Sequence, residues 1–201
     1  MAMALAVVEK DTSDLILDAT DRLIARFGLR KMTMEDVARE AGVSRRTVYG
    51  YFPNKAELAM ASIDRVVRRA QAAMSKEAAE HDFAPERLFR MLVARVRVRL
   101  EGVRDISQSL DSVFGVVRPE YMKRRRRYFE EEAGMLAAVI RDGQAEGVFG
   151  SAEPLETAQL LIQATNAYLP YSLSLEELAR PGDLDGRIEK MAAILVAGIT
   201  R

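Results

Sequence analysis

Apolar residues recur along most of the chain at the three- and four-residue spacing that places them on one face of an α-helix. Ile16 and Leu23 occupy such a face near the start, and a longer stripe follows Pro85. Residues 96–100 alternate between apolar and basic, which would suit a strand, but the helical stripe on both sides favours a helix. We therefore predict an all-α fold of about nine helices and no strand.

Proline and glycine indicate where the later helices begin and end. We predict a short helix over residues 106–114 and a long one over residues 119–146, which Gly147 terminates. Pro154 begins the next helix, and residues 173–182 form a connector with room for one helical turn before the last helix.

Residues 33–55 have the pattern of two short helices joined by a tight turn. Thr33 and Asp36 have the spacing of a capping box, Gly42 suits a left-handed turn, and Ser44 can cap the second helix. Asn54 and Glu57 repeat the capping-box spacing at the start of a long third helix. This arrangement is that of a helix-turn-helix unit, which reads DNA with its second helix.

The polar outer face of the second helix carries side chains that suit a DNA groove. Arginine can bind guanine or phosphate, threonine can donate to a base or phosphate, and tyrosine can pack on the sugar-phosphate edge. Residues 26–55 contain seven basic and three acidic residues, a net charge of +4, although the 30 basic and 30 acidic residues of the chain balance. The positive charge is therefore concentrated in the predicted DNA-binding part.

Composition excludes several other classes of protein. There is no cysteine, and the single histidine, His81, lies in a charged stretch, so the sequence offers no catalytic triad, metal-ligand pattern or phosphate-binding glycine loop. We predict no enzyme activity and no cofactor. The absence of an apolar run of about 18 residues or of an export signal predicts a cytosolic protein that does not enter a membrane.

The helix-turn-helix region resembles the TetR/AcrR family of bacterial transcriptional regulators. The resemblance rests on FG at 27–28, TMEDVA at 33–38, AGVS at 41–44, TVY at 47–49, YF at 51–52 and Lys55 with Glu57 and Leu58. Gly50 departs from the pattern, because many members have a larger residue there. A looser likeness occurs at residues 145–149.

The resemblance implies a homodimer that binds a palindromic operator in double-stranded DNA, and a helical C-terminal domain that binds a small-molecule effector. We expect a DNA-binding domain over residues 12–57 and an effector-binding and dimerisation domain over residues 58–201. The function that this interpretation favours is a repressor that its effector releases from DNA. The predicted DNA-binding residues are Thr33, Ser44, Arg45, Arg46, Thr47, Tyr49, Tyr51 and Lys55.

The effector pocket is predicted from residues whose helices should surround a central cavity. Arg126, or else Arg125, falls at an inward position of its helix and would need a partner, either an internal carboxylate, which we favour, or an anionic ligand. Ordinary core packing is the alternative for the apolar candidates, a solvated and self-paired face is the alternative for the basic run 123–127, and Asn166 could instead bond across a dimer. The candidates are Met91, Phe114, Arg126, Phe129, Met135, Asn166, Tyr168 and Tyr171.

The last two long helices have apolar faces with small residues, which suit a four-helix bundle formed by two chains. Packing within one chain is the alternative. The predicted dimer residues are Ala158, Leu161, Ile162, Thr165, Ile188, Met191, Ala192 and Leu195. A helical binding module with a vestigial DNA head, or an enzyme, would be the competing functions.

Overall fold

The computed structural model describes residues 11–104, 106 and 110–201, and this part of the chain confirms the all-α prediction. Phe149 and Thr200 form an isolated backbone bridge, and the described residues contain no β-strand. The helices are α1 Thr12–Lys31, α2 Met34–Ala41, α3 Arg45–Tyr51, α4 Lys55–Glu80, α5 Ala84–Val103, α6 Leu110–Ala145, α7 Pro154–Thr165, α8 Leu175–Leu178 and α9 Pro181–Ala197. Two 3₁₀ turns, Asn166–Tyr168 and Pro170–Ser172, follow α7.

The helix-turn-helix caps form as the sequence predicts. The Thr33 hydroxyl accepts from the backbone N–H of Asp36, and the Asp36 carboxylate accepts from the backbone N–H of Thr33, which completes the capping box. Gly42 ends α2 with φ of 69°, in the left-handed region that glycine adopts without strain. The Ser44 hydroxyl then accepts from the backbone N–H of Thr47 and so begins α3.

The second predicted capping box forms only in half. The Asn54 side chain accepts from the backbone N–H of Glu57 at 2.9 Å, as expected of an N-cap. The Glu57 carboxylate does not return to Asn54 but accepts from the Arg124 guanidinium at 3.0 Å. A tertiary ion pair with α6 therefore replaces the local contact.

The predicted division between a short helix and a long helix at Pro119 is wrong. Residues 110–145 form one continuous helix with Pro119 inside it, while residues 107–109 of the predicted short helix lie outside the described part of the chain. An internal proline costs about 3 kcal/mol. Val117 and Tyr121 are buried on either side of it, and this packing keeps the helix continuous.

Two apolar cores lie along α6. The first core joins α1–α4 to the first half of α6 and includes Val48, Leu58 and Tyr128. The second core joins α5, the second half of α6, α7 and α9. Phe129 and Tyr171 pack against both cores. The predicted DNA-binding part, which comprises α1–α3, therefore shares a continuous apolar interior with the C-terminal helices. No helix in the described part is long and apolar enough to cross a membrane.

Salt bridges tie α4 to its neighbours. Arg65 of α4 is almost fully buried and donates to Asp18 at 2.7 Å and to Asp21 at 2.5 Å, both on α1. Arg124 of α6 donates to Asp64 of α4 at 2.8 Å and to Glu57 at 3.0 Å. α4 is therefore held between the DNA-binding part and α6 by charge-assisted hydrogen bonds.

The two glycines of the helix-turn-helix predict opposite effects of alanine. Gly42→Ala should lower the free energy of unfolding by about 1–2 kcal/mol, because an alanine is strained at this positive φ. Gly50→Ala should raise it by about 0.5–1 kcal/mol, because Gly50 is helical and nothing lies within 4 Å of an added Cβ. Urea denaturation of both variants measures the difference. Equal effects of the two substitutions would contradict this account of the turn.

Candidate DNA-binding surface and internal cavity

The second helix of the helix-turn-helix, α3, is anchored from its inner side. Val48 is fully buried and Phe52 is 9% exposed, both within the apolar core of the DNA-binding part. The cap at Ser44 and the turn at Gly42 set where the helix begins. The remaining side chains of this short helix are therefore presented outward on a fixed backbone.

The outward face of α3 combines two arginines with two tyrosines. Arg45 and Arg46 are exposed, and neither has a carboxylate within salt-bridge distance in the described part of the chain. The Arg45 guanidinium lies 5.4 Å from the ring centre of Tyr49, a cation–π contact that orients both groups. Tyr49 is 41% exposed and Tyr51 is 47% exposed. This face can donate to bases and phosphates and can pack aromatic surface on a sugar-phosphate edge.

Carboxylates neutralise other arginines of the DNA-binding part. Glu40 accepts from Arg22 at 2.7 Å and lies 3.6 Å from Arg26, and Asp36 lies 3.8 Å from Arg39. The hydrogen bonds from Thr33 hold the pKa of Asp36 below its usual value, so its carboxylate stays charged at neutral pH. The uncompensated positive charge is therefore concentrated on α3 and at the exposed Arg30 and Lys31.

Four of the predicted DNA-binding residues already have partners within the chain. The Thr33 hydroxyl donates to Asp36 at 2.6 Å, and the hydroxyls of Ser44 and Thr47 bond each other at 2.7 Å. The Lys55 ammonium donates to the backbone carbonyls of Arg30 and Met32 at 3.0 and 3.2 Å. In this structure Lys55 joins the end of α1 to the start of α4 and does not extend toward a groove.

A cavity that is partly open to solvent lies behind the DNA-binding part. Its wall comes from α1, α4, α5, α6 and the 3₁₀ turn at Pro170. The lining residues are Asp21, Ile24, Ala59, Ser62, Ile63, Val66, Val67, Arg99, Gly102, Val103, Ile106, Val113, Phe114, Tyr121, Leu169, Pro170 and Tyr171. Because α1 and α4 form part of the wall, whatever fills the cavity touches helices that position the DNA-binding part.

The wall is largely apolar but contains polar groups without a hydrogen bond. The hydroxyls of Ser62 and Tyr171 are buried and have no partner in the described part of the chain. Tyr121 is 8% exposed, and burial raises its pKa to about 12. Buried hydroxyls normally have a hydrogen-bond partner, so Ser62 and Tyr171 mark positions where a ligand atom or a water would be stabilised.

A buried ion cluster lies next to the cavity. Glu132 has no exposed surface and accepts from the guanidinium groups of Arg95 and Arg99. Arg95 also donates to the side chains of Thr165 and Asn166 at 3.0 and 2.8 Å. Burial lowers the pKa of Arg95 while Glu132 beside it raises it, and a guanidinium remains charged in proteins. The cluster therefore connects α5, α6 and α7 and has more positive than negative charge.

The structure gives the predicted effector residues different locations. Phe114 and Tyr171 line the cavity. Arg126 is turned outward, with 87% of its side chain exposed and an ion pair to Glu130, while Arg125 lies over the rings of Phe129 and Tyr171. The inward arginine is thus Arg125, and aromatic rings take the place of the expected internal carboxylate. Four others pack in or against the C-terminal core away from the cavity wall, namely Met91, Phe129, Met135 and Tyr168, and Asn166 holds Arg95.

The predicted dimer residues mostly face their own chain. Exposed fractions are between 0% and 3% for Ala158, Leu161, Ile162, Thr165, Ile188 and Ala192, and Met191 and Leu195 pack against the same core. Within one chain these residues thus belong to the C-terminal core, as the alternative interpretation expects. The opposite faces of the same helices expose Leu160 and Ile194, at 59% and 70%, and Leu155 is 42% exposed in the first turn of α7.

Several residues of the cavity are absent from the sequence-based candidates. Nothing in the sequence except a position on an amphipathic helix marks Ser62 and Tyr121 as lining residues. Arg99 could have been found, because it follows Arg95 by a single helical turn within the apolar stripe of α5. Glu132 follows the basic run, a context that favours a solvated face. No group of acidic or histidine side chains in the described residues could hold a metal ion.

The fold and the two sites define a class of protein: a helical DNA-binding regulator with an internal cavity. The model of the tetR family of bacterial regulatory proteins matches residues 16–62. The model of the tetracyclin repressor-like C-terminal domain matches residues 84–183. The chain belongs to the TetR/AcrR family of transcriptional regulators, which is a family of regulators and not of enzymes.

Individual relatives agree with this assignment. An uncharacterised helix-turn-helix regulator of Haemophilus influenzae is 42% identical over 67 residues, which are 33% of this chain and 36% of the relative. The uncharacterised regulator YfiR of Bacillus subtilis is 25% identical over 185 residues, 87% of this chain and 85% of that protein. The solved SmeT–triclosan complex has a TM-score of 0.65 at 18% identity, covering 96% of this chain and 93% of SmeT, and so shows the shared fold.

The buried ion cluster predicts a large effect of one substitution. Glu132→Gln should lower the free energy of unfolding by about 3–5 kcal/mol, because it leaves two buried guanidinium groups without a countercharge. Glu131→Gln, on the same helix with half of its side chain exposed, should change it by less than about 1 kcal/mol. Chemical denaturation of both variants measures the difference, and similar values for the two would contradict the inferred role of Glu132.

Proposed function

We propose that this regulator is a repressor that binds a palindromic operator as a homodimer and is released by a small-molecule effector. The observation that carries the proposal is the exposed, uncompensated arginine–tyrosine face of α3 on a fully capped helix-turn-helix. Membership of the family supports it, since its members are DNA-binding transcriptional regulators. Such a regulator would act in the cytosol, beside the DNA.

Base selection in this proposal rests on the exposed residues of α3. Arg45 and Arg46 have no carboxylate within salt-bridge distance in the described residues and are long enough to reach base edges, while Tyr49 holds Arg45 in place. Thr33, Ser44 and Thr47 contribute by fixing the ends of α2 and α3, and their helix N-termini offer backbone N–H groups to phosphates. Tyr51 is placed to pack on the backbone of the DNA, and Lys55 has one ammonium donor left for a phosphate.

The dimer is proposed to form through the outer faces of α7 and α9. Leu160 and Ile194 are the most exposed large apolar residues of these helices, and α7 and α9 pack against each other. Exposed Ala193 and Ala197 beside Ile194 allow a close approach of a second chain. A two-fold arrangement would present two α3 helices to successive major grooves, about 34 Å apart.

Release is proposed to act through α4 and α1. Both helices line the cavity, and Arg65 joins them where the cavity meets the DNA-binding part. An effector that fits better when these helices are displaced would favour a separation of the two α3 helices that no longer matches the grooves. A preference of a few kcal/mol between the two arrangements is sufficient for such a switch. The SmeT–triclosan complex shows that a protein of this fold can hold a small molecule.

DNA recognition by α3 can be tested by selecting the operator from a random duplex library. The selection should yield a palindrome whose binding weakens steeply with salt. Arg45→Ala should weaken binding to it about tenfold or more, because a good arginine–base contact contributes about 1–3 kcal/mol. Arg69→Ala is the control, because Arg69 is exposed on α4 outside the DNA-binding part.

Fluorescence anisotropy with the selected duplex gives both affinities, and circular dichroism confirms that each variant is folded. Unchanged affinity of the Arg45→Ala protein would refute the role of α3. Failure to select any sequence would refute the regulator itself.

The proposed dimer predicts the effect of a charge on its surface. Ile194→Glu should yield a monomer, because it buries an unpaired carboxylate in the apolar interface. Leu175→Glu, at an exposed leucine on α8, should leave the dimer intact. Light scattering coupled to size-exclusion chromatography measures the mass of each variant. A dimeric Ile194→Glu protein would place the interface elsewhere.

A further inference from the structure

We propose that the cavity takes an amphipathic organic anion: an apolar body with a carboxylate or similar acidic group. The inference rests on the proposed function in that the cavity is taken as the effector site. It goes beyond that function because it names the chemical class of the effector. It follows from three features of the wall, namely its apolar surface, its balance of charges and its unpartnered hydroxyls.

The apolar surface would bind the body of the ligand. Most of the lining side chains are aliphatic or aromatic, contributed by α4, α5 and α6. Phe114, Tyr121 and Tyr171 form a cluster of aromatic rings with centres 5.9 to 6.3 Å apart at one side of the cavity. Each square ångström of apolar ligand surface removed from water contributes about 25 cal/mol, so an alkyl or aromatic body is favoured.

The charges near the wall favour a negative group on the ligand. Arg95 and Arg99 share the single carboxylate of Glu132, and Arg99 lines the cavity itself. Arg125 adds a third guanidinium 5.6 Å from the ring centre of Tyr171, and no carboxylate lies within salt-bridge distance of it in the described part of the chain. Three guanidinium groups, of which Arg99 lines the cavity, therefore lie near this side of the wall, with Glu132 as the carboxylate that pairs with two of them.

The one acidic residue of the wall does not cancel this excess. Asp21 lies on α1, at the side of the DNA-binding part, and its carboxylate accepts from Arg65 at 2.5 Å. Arg65 also donates to Asp18, so the α1 side of the wall stays acidic and the basic excess lies on the side of α5, at Arg99. A cationic ligand would be repelled by the arginines, and a neutral ligand would leave them without a further countercharge.

The hydroxyls supply donors for the same group. The hydroxyls of Ser62 and Tyr171 are both buried, and Ser62 as a whole is 9% exposed. The ring of Tyr171 lies under the Arg125 guanidinium. Ser62 and Tyr171 both line the cavity and neither hydroxyl has a partner in the described residues. A carboxylate has about four acceptor positions and no donor, so it can accept from hydroxyl and guanidinium groups together.

Isothermal titration calorimetry of the protein without DNA tests the class with three ligands that share one tail: octanoate, 1-octanol and octylamine. At neutral pH these are an anion, a neutral molecule and a cation. We expect octanoate to bind at least tenfold more tightly than 1-octanol, and octylamine to bind most weakly. Octanoate that binds no more tightly than 1-octanol, or does not bind, would overturn the proposal.

Substitutions of lining residues test whether the preference for the anion arises in the cavity. Arg99→Met should abolish the preference for octanoate, and Arg99→Lys should retain part of it. Tyr171→Phe and Ser62→Ala should each weaken octanoate about tenfold, because a hydrogen bond to a charged group is lost. Since they remove only unpartnered hydroxyls, they test the proposal even if Arg99→Met does not fold. Arg126→Met is the matched control, because Arg126 is outward on α6 and should leave the preference unchanged.

Equal effects of Arg126→Met and Arg99→Met would assign the preference to general surface charge and overturn the proposal. Anisotropy with the selected operator duplex, measured separately, keeps the two hypotheses apart. Loss of octanoate selectivity with intact operator binding refutes only the ligand class. Octanoate selectivity in a protein that binds no operator refutes only the regulator.

Discussion

The buried contact of Glu132 with Arg95 and Arg99 is the interaction on which the C-terminal part of the molecule depends. It fixes α5 against α6, and Arg95 extends the contact to α7 through Thr165 and Asn166. A carboxylate without exposed surface is tolerated only because two guanidinium groups satisfy it. The same contact leaves an excess of positive charge beside the cavity, because two arginines share one glutamate. The packing of these helices and the proposed preference for an anionic ligand therefore rest on the same side chains.

The α4 helix is the element that connects the cavity to the helix-turn-helix. It begins beside the helix-turn-helix, passes along the cavity wall and is joined to α1 by Arg65 and to α6 by Arg124. Tyr128 of α6 reinforces the second junction by donating to Asp64. These contacts are directional, so a displacement of α4 would have to break them or exchange them for others. The first apolar core, which α4 and α6 share with α1–α3, adjoins both junctions.

The DNA-binding part could be predicted from the sequence because its caps and turn depend on near neighbours. The other elements were predicted less well because they depend on contacts between distant segments. The caps at Thr33 and Ser44 and the turn at Gly42 depend on residues three or four positions apart, which a sequence displays directly. The continuous helix through Pro119 depends on burial of side chains on a distant core. Arg125 and Arg126 are neighbours in sequence, and the apolar stripe of a helix is too broad to show which of the two points inward. The faces of α7 and α9 are similarly ambiguous, because each helix has apolar residues on both sides.

Gly50 gives the reading helix an unusual freedom. It lies on the exposed face of α3, and nothing is within 4 Å of the position that a side chain would enter. A new side chain there would alter what the helix offers to a groove without repacking the interior. After duplication of the gene, two copies could diverge in the DNA sequences that they recognise through this position alone. A substitution at Gly50 could thus change which genes are regulated and leave the fold stable.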